Sequence, residues 1–159
     1  MILRPWRVSE AAVQRELWLE RDPRVPPHRR IDVEGRPTIG DLEEAIRGGA
    51  PSGTGLLALE RKAEGDVIGY CGLVGGERTP EPELAFELLH RVWRQGYATE
   101  ASQAVLEWAR SSGHQRLWAT VWAWNTASLR VLAKVGFVVT DRVDADAVRG
   151  RTLFLTARL

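Results

Sequence analysis

A strand-like run, a turn and a helix-like run follow one another twice in the second half of this chain, and that repeat constrains the fold more than any other feature. The first unit runs from Glu83 to Leu89, turns through Gln95-Gly96-Tyr97-Ala98-Thr99-Glu100 and continues as a helical pattern to about Ser111. The second runs from Arg116 to Trp122, restarts at Asn125-Thr126-Ala127-Ser128 and stops at Gly136-Phe137. At each junction the first helical turn leaves N–H donors without partners and carries the positive end of the helix dipole. Gly96 adds freedom for the chain to pass close to a bound group. Such a turn suits a pyrophosphate. A lone glycine between a strand and a helix is only a turn; the second unit lifts the pattern above that.

The remaining segments fit around these units. Ile2 to Val8 reads as a strand, and Ser9 as the N-cap of a helix with Val13 and Leu17 at helical spacing, ending before Pro23. Asp22 to Pro37 has no periodicity and is rich in proline and arginine, which predicts a long ordered loop. Thr38 to Arg47 is a short helix closed by Gly48-Gly49. Strands are predicted over Gly55–Arg61, Val67–Val74 and Glu83–Leu89, with a hairpin turn at Glu64-Gly65-Asp66. In the helix after Gly96, an apolar face of Tyr97, Ala101, Ala104, Val105 and Trp108 should pack on the sheet. A helix over Thr126–Val135 and strands over Phe137–Val143 and Arg151–Leu159 complete the order β-α-α-β-β-β-α-β-α-β-β. The fold class is α/β: a mixed sheet covered by helices on both faces, the ligand entering where central strands part.

Composition narrows the function. At 159 residues and 44% hydrophobic, the chain suffices for one globular unit spanning residues 1–159. A net charge of +1 gives no general basic field for nucleic acid or an anionic membrane, so phosphate contacts should be local. Cys71 is the only cysteine and lies in an apolar run, which predicts no disulfide framework and a cytoplasmic protein. Met1 to Arg7 is too brief for a signal peptide, and no run is long enough to cross a bilayer. His28, His90 and His114 lack ligand-like spacing, so no metal is expected.

The run Glu83-Leu84-Ala85-Phe86-Glu87-Leu88-Leu89, with Trp93-Arg94-Gln95-Gly96-Tyr97-Ala98-Thr99-Glu100-Ala101 after it, resembles the acetyl-CoA-binding strand, loop and helix of the GCN5-related N-acetyltransferase (GNAT) superfamily. Asn125-Thr126-Ala127-Ser128, Val131-Leu132, Lys134 and Gly136-Phe137 match the next motif, and Leu3-Arg4-Pro5-Trp6 the opening one. The branch most resembled contains the ribosomal-protein N-terminal acetyltransferases. The resemblance implies a mostly antiparallel sheet of about seven strands, with acetyl-CoA in the cleft between splayed central strands. Three departures stand out. Trp93 and Arg94 differ from the residues usual in the loop, His90 stands where proline is frequent, and Leu132 occupies the place of a tyrosine that protonates the departing thiolate in many members.

From that resemblance follow the site expectations. Acetyl-CoA should contact Leu88, Leu89, Arg94, Gln95, Gly96, Tyr97, Ala98 and Thr99, with Asn125 and Ser128 beside the pantetheine. Leu88 or Leu89 N–H should polarise the thioester carbonyl, and Ser128 should protonate the thiolate in place of the missing tyrosine. The plain alternative is that Asn125 caps a helix and Ser128 sits in its first turn, and both roles can coexist. Strand alternation puts Glu83, Ala85 and Glu87 on one face, and an acidic residue at the start of this strand in the family favours Glu83 over Glu87 as the base. The seven tryptophans include Trp122 and Trp124, whose place just before Asn125 suggests an acceptor-pocket wall, while Trp108 and Trp118 read as core. Glu87 and Arg29 are further substrate contacts, with Arg29 and its neighbour Arg30 suited to an acidic acceptor or the coenzyme.

The function these expectations describe is transfer of an acetyl group from acetyl-CoA to a primary amine, on a protein N-terminus or a small molecule. A non-catalytic acyl-CoA sensor on the same fold is the alternative, motivated by Leu132. A dinucleotide-binding module lacks its glycine-rich fingerprint here. Monomer and homodimer both stay open.

Overall fold

Antiparallel pairing joins every pair of neighbours in the sheet except one. The computed structural model describes residues 1–49, 55–75, 79–148 and 150–159. Its strands are β1 (Ile2–Arg4), β2 (Gly55–Glu60), β3 (Val67–Val74), β4 (Glu83–Leu88), β5 (Arg116–Trp122), β6 (Val138–Asp146) and β7 (Gly150–Arg158). They form one seven-stranded sheet in the order β1-β2-β3-β4-β5-β7-β6. The exception is β4 with β5, which run parallel and pair only at Glu83 opposite Trp118. Parallel neighbours need a crossover, and α3 (Tyr97–Ser111) supplies it.

Helices α1 (Ala11–Leu19), α2 (Ile39–Gly48) and α4 (Thr126–Lys134) complete the layers. Successive residues of β3 look to opposite faces: Cys71 faces Ser102 in α3, whereas Tyr70 bonds Glu87, which is held by Arg21 just beyond α1. The main core lies on the α3 face, where Cys71, Leu84, Leu117, Ala119 and Leu155 meet Ala101, Val105 and Ala109. Thr38 caps α2 by accepting from the Asp41 N–H at 3.2 Å while the Asp41 carboxylate accepts from the Thr38 N–H, a reciprocal cap of about 1 kcal/mol.

Several boundaries differ from the sequence expectations. β1 stops at Arg4 because Pro5 has no N–H for the ladder, and a short 3-10 turn follows at Val8–Glu10. Ser9 does not cap α1; the Glu10 carboxylate instead turns back to the Arg7 N–H at 2.8 Å. β6 runs to Asp146 because its hairpin with β7 continues to the pair Asp146–Gly150, past an irregularity between Val139 and Val143. The buried stripe of α3 is Ala101, Ser102, Val105, Leu106 and Ala109, one step round from the expected face. Trp108 is accordingly 49% exposed rather than core. Trp118 is half-buried, its indole N–H donating to Glu81 at 2.5 Å.

Candidate active site

Past Glu83 and Trp118 the two parallel strands part, so the edge of β4 that faces β5 has lost its ladder. Pro82 accepts from the Trp118 N–H at 3.0 Å on that edge, and Leu89 donates to Ile68 at 2.9 Å on the other. Alternation along the strand therefore aims the N–H groups of Phe86 and Leu88 into the opening. The opening is a cavity of about 710 Å³ whose walls come from the end of α1 and the loop behind it, β3, β4, the turn into α3, and the β5–α4 junction.

The turn at one end is shaped by backbone. The 3-10 turn His90–Val92 leads to Arg94 at φ 63° and Gly96 at φ 89°, both left-handed. Left-handed residues within a turn aim successive N–H groups at one point, and Tyr97, Ala98 and Thr99 add the unpaired donors of the first helical turn. A Cβ built on Gly96 would meet no atom within 4 Å, so the space over it is open. Trp93 donates its indole N–H to the Leu88 carbonyl at 2.7 Å, bracing the turn against the strand. Where proline is usual, His90 brings an N–H that needs an acceptor, and Glu20 supplies one at 2.7 Å.

Of the expected coenzyme contacts, Arg94, Gly96, Tyr97, Ala98, Thr99 and Leu88 line the cavity. Leu89 and Gln95 do not. Leu89 is fully buried with its N–H committed to Ile68, and the Gln95 side chain turns back to the Arg91 carbonyl at 3.3 Å. Asn125 and Ser128 line the opposite wall, and Asn125 caps α4 by accepting the Ser128 N–H at 3.2 Å. The cap uses the Ser128 main chain, so its hydroxyl stays available. Leu132 is 2% exposed and belongs to the core, away from the cavity.

At the other end the wall is made of side chains. Glu87 accepts from Arg21 Nε at 2.8 Å and Nη2 at 2.6 Å, and from the Tyr70 hydroxyl at 2.7 Å. Burial works against the Arg21 charge, but the Glu87 carboxylate outweighs it and raises its pKa. Burial, reinforced by that same carboxylate, pushes the Tyr70 phenol well above its usual range, so it stays a donor. Arg21 Nη1 also donates to the Arg29 carbonyl at 2.7 Å, tying the long loop to β4. Trp122 and Trp124 stack with centroids 5.3 Å apart and planes 4° from parallel. Arg24 covers Trp124 at 4.1 Å and Arg29 stands over Trp122 at 5.7 Å.

Glu83 is not on this wall. It sits where β4 and β5 are still paired, accepting from the hydroxyls of Thr79 at 3.1 Å and Thr120 at 2.8 Å. Arg30 also lies off the wall. Among the described residues no group of three His, Cys, Asp or Glu side chains is placed to hold a metal ion, and no helix is long and apolar enough to cross a membrane.

Residues 1–138 match the family described as acetyltransferase (GNAT) domain. The chain belongs to the GNAT family. YoaA of Bacillus subtilis (strain 168), an uncharacterised N-acetyltransferase, is 32% identical over 81 residues, 50% of this chain and 46% of YoaA. The chain spans about half the length of the curated relatives it matches. Among solved structures, yncA of Salmonella typhimurium with its cofactor acetyl-CoA aligns with TM-score 0.71 at 17% identity, over 100% of this chain and 94% of the other. The ribosomal-protein-alanine N-acetyltransferase of Brucella melitensis aligns with TM-score 0.72 at 20% identity over 100% of both chains. A variant of the spermidine N-acetyltransferase SpeG of Vibrio cholerae aligns with TM-score 0.78 at 13% identity, over 99% of this chain and 95% of the other. These likenesses are of fold.

The GNAT cleft here includes further residues. Arg21 and Tyr70, which fix Glu87, come from the end of α1 and the middle of β3, and no local pattern marks either. Lys134, which the sequence presents only within a motif, lines the cavity with Val131. Its place nine residues past the Asn125 cap, on the helix that borders the cleft, was a usable signal.

Proposed function

We propose that this chain is an acetyl-CoA-dependent N-acetyltransferase that acts on a primary amine, with residues 1–159 as one acetyltransferase domain. The observation that carries the proposal is the parting of β4 from β5 beside a turn of converging N–H donors. The residues fit the group. Open space over Gly96, the free donors of Tyr97 to Thr99 and the cations Arg94 and Lys134 suit a diphosphate and its charge. The unladdered N–H groups of Phe86 and Leu88 suit an extended chain of amides. When bound, acetyl-CoA supplies an acetyl group activated as a thioester.

The chain's own residues orient the partners and move two protons. The acceptor nitrogen bonds to the acetyl carbon as the carbon–sulfur bond breaks, so one proton must leave nitrogen and one must reach sulfur. The Leu88 N–H, aimed into the opening, would stabilise the negative charge that develops on a thioester carbonyl oxygen held there. Glu87 takes the nitrogen's proton, directly or through Tyr70 or a water; it is preferred to Glu83 because it lines the cavity and Glu83 does not. The Ser128 hydroxyl gives a proton to the sulfur, with Asn125 fixing the start of α4. Trp122 and Trp124 wall the cleft beside the reacting amine.

Free CoA release measured with acetyl-CoA and a broad amine panel tests the proposal. Release with at least one amine, lost on heating the protein, is expected; binding of acetyl-CoA with no release for any amine would instead favour the acyl-CoA sensor, which the burial of Leu132 in place of a tyrosine motivates.

A further inference from the structure

Arg29 occupies an unusual electrostatic position. It lines the cleft and also a second, largely apolar cavity between α1, α2, α3 and the β2–β3 strands, and the two cavities share Leu17, Arg21, Arg29 and Tyr70. Its two arginine neighbours in the cleft are each answered by a carboxylate, Arg21 by Glu87 and Arg24 by Asp22 at 2.8 Å. The Arg29 guanidinium has no carboxylate within ion-pair distance among the described residues. Its position is nevertheless set: its N–H donates to the Pro26 carbonyl at 2.9 Å, its carbonyl accepts from Arg21, and its guanidinium stands over Trp122. No described acidic residue lines the second cavity, whose walls include Leu3, Trp6, Trp18, Leu57 and Leu73.

Taking the acetyltransferase reading as its base, we infer that the acceptor is a small primary amine that carries a carboxylate and an apolar body, the chemistry of an apolar α-amino acid. The carboxylate answers the Arg29 charge in the planar two-donor geometry that guanidinium favours. The amine then reaches toward Tyr70 on the shared wall and Glu87 bonded to it in the cleft, and the apolar body enters the second cavity. A polyamine fits less well, because an added ammonium beside Arg29 meets its positive charge, and one in the second cavity finds no acidic side chain among the described residues.

The test is titration of the protein, saturated with CoA, by L-phenylalanine, 2-phenylethylamine and spermidine, using calorimetry. The first two differ only in the carboxylate. Phenylalanine should bind at least about tenfold tighter than phenylethylamine, as expected for one charge-assisted bidentate contact, and spermidine weakest. Arg29→Gln should erase the carboxylate preference and Arg29→Lys should restore part of it. Equal or tighter binding of phenylethylamine or spermidine, no saturable binding of phenylalanine, or a preference untouched in Arg29→Gln would each overturn the inference. Acetyl-CoA titrated into the wild-type chain separates the two readings: its binding with no carboxylate preference sinks only the acceptor inference, and its failure to bind sinks the parent reading.

Discussion

At one end of the cleft the wall is main-chain N–H groups of a single continuous turn, Arg94 to Thr99; at the other it is side chains drawn from the end of α1, the loop behind it, β3, β4 and β5. The first end depends on backbone angles, such as φ 89° at Gly96, and tolerates an arginine where a small residue is usual. The second depends on which side chains meet, and it holds Glu87 in a net of Arg21 and Tyr70 bonds. On the proposed function the first end holds the coenzyme and the second the acceptor, a division under which the acceptor wall can differ without disturbing the backbone grip, in line with the general rule that function lives in the site and not the fold.

That contrast breaks most readily at the acceptor end. Glu87→Gln should lower kcat/KM by roughly a hundredfold to a thousandfold, the usual worth of a general base. Glu83→Gln, whose carboxylate is engaged by Thr79 and Thr120, should change it by about threefold or less. Steady-state kinetics on both variants decide, and the reverse order would return the base role to Glu83.

Gly96→Val comes next. A β-branched residue at φ 89° is strained, and its side chain would fill open space over the turn, so acetyl-CoA affinity should fall roughly a hundredfold in calorimetry. Arg94→Ala leaves the N–H groups in place and should cost only about threefold, an exposed charge contact being weak. A loss for Arg94→Ala equal to that for Gly96→Val would erase the distinction between a backbone-made and a side-chain-made end.

How much of this was legible in the sequence follows the same line. The strand–turn–helix units could be read because glycine, helix caps and two periodicities are local signals, and the observed β4, α3, β5 and α4 begin within a residue of where they were expected. Asn125, Ser128, Trp122 and Trp124 were reachable because they cluster at one junction. Leu89 was misassigned because strand alternation alone does not say which edge loses its ladder; only the Leu89 bond to Ile68 does. Trp108 was read as core because its spacing is helical, yet the buried stripe of α3 runs through Ser102 and Leu106 instead. Arg21, Tyr70 and Glu87 lie on separate elements, and nothing in sequence spacing foretells their meeting.

Smaller effects sharpen the picture. Ser128→Ala should lower kcat about tenfold while acetyl-CoA affinity changes by about threefold or less, since the cap on α4 uses the Ser128 N–H and survives. Unchanged kcat would move the proton for sulfur to another donor. Smallest is the response of Cys71, whose thiol burial pushes up to about 12 from 9.0. A folded value above the unfolded one leaves stability intact below about pH 9 and removes it as pH rises toward 12. Urea midpoints should therefore be flat near neutrality and fall in strong alkali, and the native thiol should resist alkylation at about pH 8. Rapid alkylation of the native protein would place Cys71 outside the core.

A crystal structure with acetyl-CoA tests the central claim most directly. The account predicts the diphosphate within hydrogen-bonding distance of main-chain N–H groups between Arg94 and Thr99, and the pantetheine amides facing Phe86 and Leu88 on the open edge of β4. Density for the coenzyme at any other face of the sheet, or a cleft that stays closed to it at saturating concentration, would contradict it.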